Sequence, residues 1–163
     1  MNEVSSEGLL DLADEASKFS VEVQDLVRAT LPTAAPVVAV NLENRFVVRS
    51  EDGHGRPGVI NLCANGEKVG GLRLSYQCGL DHASRYLAID SSTFTLVWGD
   101  VNNPLLRLEY DRHGKRTVPA AHWHVHAERG AFSALLAASG VKHPHSLEKL
   151  HLPVGGGRMR PCL

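Results

Sequence analysis

Residues 122–126 read His-Trp-His-Val-His. In an extended strand, side chains two apart point the same way. His122, His124 and His126 are therefore expected on one face, with Trp123, Val125 and Ala127 on the other as core. Such a row can do three kinds of chemistry. Neutral imidazoles ligate a divalent transition metal, with Asp or Glu completing the shell. A neutral and a protonated ring act as general base and acid on a phosphodiester. A single histidine attacks phosphorus as a nucleophile. The bland alternative is a solvated strand face that happens to carry histidine.

The preceding segment, LLRLEYDRHG, alternates in the same way. Arg107, Glu109 and Asp111 share one face, and Leu106, Leu108 and Tyr110 share the other. If Arg112-His113-Gly114-Lys115 closes a hairpin, the charged face and the histidine face coincide. Arg107 would then hold a phosphate, and Glu109 or Asp111 would orient an imidazole or ligate a metal. The expected catalytic set is His122, His124, His126 and Arg107, with Arg112 and Arg129 binding substrate. The expected metal set is His122, His124, His126 and Asp111. The alternative for Arg107, Glu109 and Asp111 is an ordinary exposed strand face.

Two resemblances attach to these residues. His122-Trp123-His124-Val125-His126 resembles the alternating signature of the histidine-triad nucleotide hydrolases and transferases, and Gly114, Val118 and Pro119 are similar to that family's lead-in. Ala120 and Ala121 stand where the family has a histidine directly after the Val-Pro step. The resemblance implies a nucleotide hydrolase with His124 as nucleophile. More broadly, the segment from Gly71 to Ala138, with Arg107, Asp111, His122, His124 and His126, resembles small bacterial toxin–antitoxin-type proteins. That resemblance implies chemistry on RNA or nucleotide phosphodiesters.

The elements that position these residues follow from periodicity. Leu12, Ala16, Phe19, Val23 and Leu26 recur at steps of three and four, which predicts a helix over residues 6–30, capped by Ser5 or Ser6 and ended before Pro32. From Pro36 the period becomes two. PVVAVNL and RFVVRS flank Glu43-Asn44, and Asn65-Gly66 is a strong hairpin signal because both residues tolerate positive φ. YLAID and TFTLVWG flank Ser91-Ser92, a further expected hairpin. Short helices are expected at AFSALLAAS and SLEKL, before a basic tail holding Arg158 and Arg160. The fold class is thus α+β: an N-terminal helix (1–31), an antiparallel meander of six to eight strands (36–127), and short C-terminal helices with a tail (130–163).

The chain has 163 residues, 43% hydrophobic and 21% charged, which favours one folded domain over a disordered or fibrous chain. It contains no apolar run long enough for a transmembrane helix, and the acidic start lacks the basic region of a signal peptide. Cys63, Cys78 and Cys162, without a CxxC pair, read as reduced thiols in a cytoplasm. The absence of a terminal helix before Leu163 suggests a missing or naturally shortened C-terminal element. The net charge of −1 argues against a wholesale nucleic-acid or membrane binder. Its distribution is uneven: residues 1–52 carry −6 and residues 105–163 carry +5. The two ends can attract each other within one fold, or the basic third can offer a face to phosphate or RNA. The function expected is therefore action on RNA or nucleotide phosphodiesters through the histidine strand. The non-enzymatic alternative is a binding or regulatory module whose basic third contacts a partner protein.

Overall fold

The computed structural model describes residues 6–31, 34–43, 45–83, 85–98, 104–114 and 119–126. The expected C-terminal helices, the basic tail, Arg129 and Cys162 lie outside them. Helix α1 (Ser6–Thr30) runs over the span the apolar stripe predicts. Leu12, Ala16 and Val23 are buried on that stripe, but Leu26 is exposed and Val27 takes its place. The correction is geometric: from Val23 one full turn reaches residue 27, and at 3.6 residues per turn Leu26 rotates off the contact face. Among the described residues, no helix is long and apolar enough to cross a membrane.

Among the described residues, seven strands follow: β1 (Val37–Leu42), β2 (Arg45–Ser50), β3 (Ile60–Ala64), β4 (Glu67–Leu80), β5 (Leu87–Trp98), β6 (Pro104–Asp111) and β7 (Ala121–Val125). They form one antiparallel sheet in the order β1-β2-β4-β5-β6-β7. β3 also pairs with β4. The long β4 is shared along one edge: β3 pairs with its first half up to Leu72, and β2 with Ser75 to Cys78. The connection between β2 and β3 sits at this joint. Asp52 shapes it by accepting the backbone N–H groups of His54 and Arg56, and those hydrogen bonds hold its carboxyl below the usual carboxylate range.

Turn chemistry accounts for the two tight hairpins. Asn65 and Gly66 both have positive φ, 52° and 82°, as the turn between β3 and β4 requires. Glu43, at φ 58°, opens the turn between β1 and β2. The expected Ser91-Ser92 hairpin does not form; β5 runs through both residues without a break. Neither serine supplies the positive φ of a two-residue turn, and the strand absorbs one extra residue, Asp90, as a bulge opposite Gln77 and Cys78. A second bulge places Leu105 between the pairs Leu96–Leu106 and Val97–Pro104.

The core lies between α1 and one face of the sheet. Leu12, Ala16, Val23 and Val27 meet Val37, Phe46, Val48, Ile60, Leu74, Tyr76, Cys78 and Phe94. Tyr76 stands between Phe19 and Phe94, edge to face with both, at centroid distances of 5.1 and 5.4 Å. Gln24 is buried on the helix, and its Oε1 accepts the Val37 N–H at 2.6 Å, which ties α1 to the first strand. Burial pushes the Cys78 thiol up to about 12, so this cysteine is a small core residue and no nucleophile.

Candidate metal centre

Register brings the charged strand and the histidine strand together. β6 and β7 pair so that Glu109 faces His122 and Arg107 faces His124 across the ladder. Directly opposed residues share a face. The expected coincidence of the two polar faces is therefore present, on the side of the sheet opposite the core.

Three side chains converge there. His122 Nε2 and His124 Nε2 lie 3.1 Å apart. Glu109 Oε2 is 2.9 Å from His124 Nε2 and 3.3 Å from His122 Nε2. Two ligands of a tetrahedral ion, each about 2.0–2.1 Å from it, stand roughly 3.3–3.4 Å apart. The observed triangle, with sides of 2.9–3.3 Å, is close to one face of such a tetrahedron. All three residues are partly buried.

The remaining atoms of the three residues are placed to hold it. His122 Nδ1 lies 3.1 Å from the Pro119 carbonyl oxygen. A carbonyl only accepts, so Nδ1 carries the hydrogen and donates it. In the neutral ring this leaves the lone pair on Nε2, aimed into the triangle. A ring that ligates through one nitrogen and donates its other N–H to a backbone carbonyl is the usual metal-site arrangement. Glu109 divides its carboxylate. Oε1 lies 2.7 Å from Arg107 Nε, and Oε2 faces the histidines. The Arg107 contact is an ion pair without hydrogen-bond alignment, since its Nε has no hydrogen-bond partner among the described residues. With its own hydrogen on Nε2, His124 can donate to Glu109 Oε2 or to the His122 Nε2 lone pair. A divalent ion in the triangle would take the place of those hydrogen bonds.

The remaining expected site residues stand apart. His126 is outside the triangle: the ladder to β6 ends at Val125, and the His126 N–H bonds the carbonyl of the bulged Leu105 at 3.0 Å. Asp111 is one row beyond the last β6–β7 pair; its N–H bonds the Ala120 carbonyl and its Oδ1 accepts the His113 N–H. Glu109, given only an alternative role beside Asp111 by sequence, is the carboxylate of the cluster. Arg112 turns the other way, its guanidinium 3.6 Å from Asp90 and its N–H on the Asp90 carbonyl. Trp123 and Val125, expected as core, are 37% and 38% exposed. Among the described residues, β7 is the last strand of the sheet, and the contacts of α1 concentrate on β1 and β2 at the far end.

The neighbouring strands extend the polar face. Along the ladder, Glu109 is followed by Thr93, Ser75 and Arg49, and Arg107 by Thr95 and Arg73. Their alternation was visible only for β4, where Arg73, Ser75 and Gln77 oppose Leu72, Leu74 and Tyr76. No family model matches this chain, and neither a curated protein nor a solved structure matches it.

Proposed function

We propose that Glu109, His122 and His124 bind a divalent transition metal and that the protein hydrolyses phosphodiesters of RNA or nucleotides at this centre. The observation that carries the reading is the convergence of two imidazole nitrogens and one carboxylate oxygen in a triangle of metal-ligand size. An ion held there supplies Lewis-acid polarisation of a phosphoryl oxygen. Arg107 positions Glu109 through their ion pair and adds positive charge beside a bound phosphate. Pro119 holds the His122 tautomer.

The metal reading is better supported than a histidine nucleophile, because His124 Nε2 is directed at Glu109 and His122. The test is metal content of purified protein, together with hydrolysis of RNA and dinucleotides before and after chelation. Support requires near-stoichiometric metal and activity that is lost on chelation and restored by metal. Metal-free protein that neither takes up added zinc nor cobalt ends the reading.

A binding module that recruits a protein partner is the second reading, favoured by the exposed Trp123 and Val125 on the outermost strand. Retained partner binding in a metal-free variant would support it.

A further inference from the structure

The polar face holds a groove of about 250 Å³ beside the Glu109–His122–His124 triangle. Ser75, Thr93, Thr95 and Arg73 line it together with Val47, Pro57 and Arg49, the last of which is paired with Glu51. We propose that this groove is a nucleoside subsite: it takes the base and sugar of one nucleotide, whose phosphate lies on Arg73 and Arg107 next to the triangle. The proposal rests on the reading of that triangle as the reacting centre.

Four observations carry it. The first is size. The volume is below the roughly 300–1,000 Å³ of sites for drug-sized ligands, so the groove accepts one nucleoside-sized group and not a longer strand. The second is position. Thr93 is the direct ladder partner of Glu109, one strand spacing of about 4.8 Å away, and Ser75 is one spacing further. A group seated over Thr93 and Ser75 is therefore connected to the triangle through a linker the length of one sugar.

The third observation is the chemistry of the lining. The Ser75, Thr93 and Thr95 hydroxyls make no hydrogen bonds to other described residues. Each is free to donate to and accept from a sugar hydroxyl or a base edge. Val47, Pro57 and the threonine methyls add an apolar wall for a flat base. The fourth is charge. The Arg73 guanidinium pairs with no carboxylate among the described residues, although Asp and Glu are as frequent in this chain as Lys and Arg. An unpaired arginine at the groove's edge suits a phosphate, which its planar fork binds through two parallel hydrogen bonds.

The experiment is calorimetric titration of the full chain, without added metal, with adenosine and uridine 5′-monophosphate, ribose 5-phosphate and inorganic phosphate. At least one nucleotide is expected to bind ten times more tightly than ribose 5-phosphate, and ribose 5-phosphate no more weakly than phosphate. Arg73→Gln should weaken all the phosphate-bearing ligands about tenfold. Thr93→Val, which keeps strand propensity and volume, should weaken nucleotide severalfold and leave phosphate unchanged. Ser75→Tyr, which fills the groove, should abolish the nucleotide advantage. If one variant fails to fold by circular dichroism, the other two decide.

Metal uptake, measured on the same chain, separates the two readings. Nucleotide binding in a chain that takes up no metal overturns the metal reading alone. Metal uptake without any nucleotide advantage over phosphate overturns the subsite. Equal binding of all four ligands, or none, also overturns it.

Discussion

On one face of the sheet, Val48, Leu74, Tyr76 and Phe94 pack against α1 and exclude water. On the other face, the residues between them in the same strands are Arg49, Ser75, Thr93 and Thr95, leading to Arg107, Glu109 and the two histidines. One alternation serves both. The core face needs only apolar side chains of suitable volume, so its stability is spread over many contacts. The polar face depends on a few groups at defined distances, and its key residues sit on β6 and β7, away from the helix. A centre built there can be altered with little effect on folding, whereas the core face cannot.

The largest contrast is expected between two aromatic residues on the same face. Tyr76→Ala removes a ring held between Phe19 and Phe94 and should cost about 3–5 kcal/mol in chemical unfolding. Trp123→Ala, at a position 37% exposed, should cost roughly half as much or less, since part of the side chain is already solvated. Equal losses would mean that Trp123 is covered.

A smaller effect is expected where backbones meet. A Cβ on Gly70 would stand 2.6 Å from the Val97 carbonyl oxygen, closer than real contacts allow. Gly70→Ala should therefore lower stability by about 1–3 kcal/mol through displacement of β5. An unchanged melting temperature would show that the strands separate without strain. Smaller still is Glu109→Gln. Its ion pair with Arg107 is partly exposed, so the change in unfolding free energy should be about 1 kcal/mol or less. The same substitution should weaken metal binding more than the roughly 10–100-fold typical of outer-shell changes. A large stability loss with metal affinity retained would reverse the roles assigned to the two faces.

The least effect at neutral pH belongs to Cys78. Its thiol is pushed from 9.0 up to about 12 by burial, so the folded chain keeps a proton that the unfolded chain releases. The stability this provides is complete below pH 9 and is lost as pH rises toward 12. Denaturation curves from pH 8 to 11 should fall more steeply for the wild type than for Cys78→Ala. Parallel curves would place the thiol in water.

Much of this arrangement was readable from residue types. The helix, the Asn65-Gly66 turn and the pairing of the Arg107–Glu109 face with the histidine face follow from local periodicity, which a strand ladder preserves. What was not readable depends on single-residue irregularities. The bulge at Asp90 lets β5 continue through Ser91-Ser92, and the bulge at Leu105 shifts the β5–β6 register. Each adds one residue to one strand, a change that leaves no mark in composition or alternation. The choice of Glu109 over Asp111 is a matter of register: Asp111 lies just past the last residue with a β7 partner. The exposure of Trp123 reflects where α1 ends up, on β1 and β2, which its own sequence does not state. Finally, the groove unites residues from β2, β4 and β5 that are far apart in sequence.

The most direct test of the central claim is the absorption spectrum of the cobalt(II)-loaded chain, with metal stoichiometry measured on the same samples. One cobalt per chain, with the intense visible bands of a four-coordinate site, is the predicted result for the wild type. His122→Ala, His124→Ala and Glu109→Gln should each abolish those bands, and His126→Ala should leave them in place. Cobalt binding that persists in all three triangle variants, or that disappears only with His126→Ala, would contradict the assignment of Glu109, His122 and His124 as the metal centre.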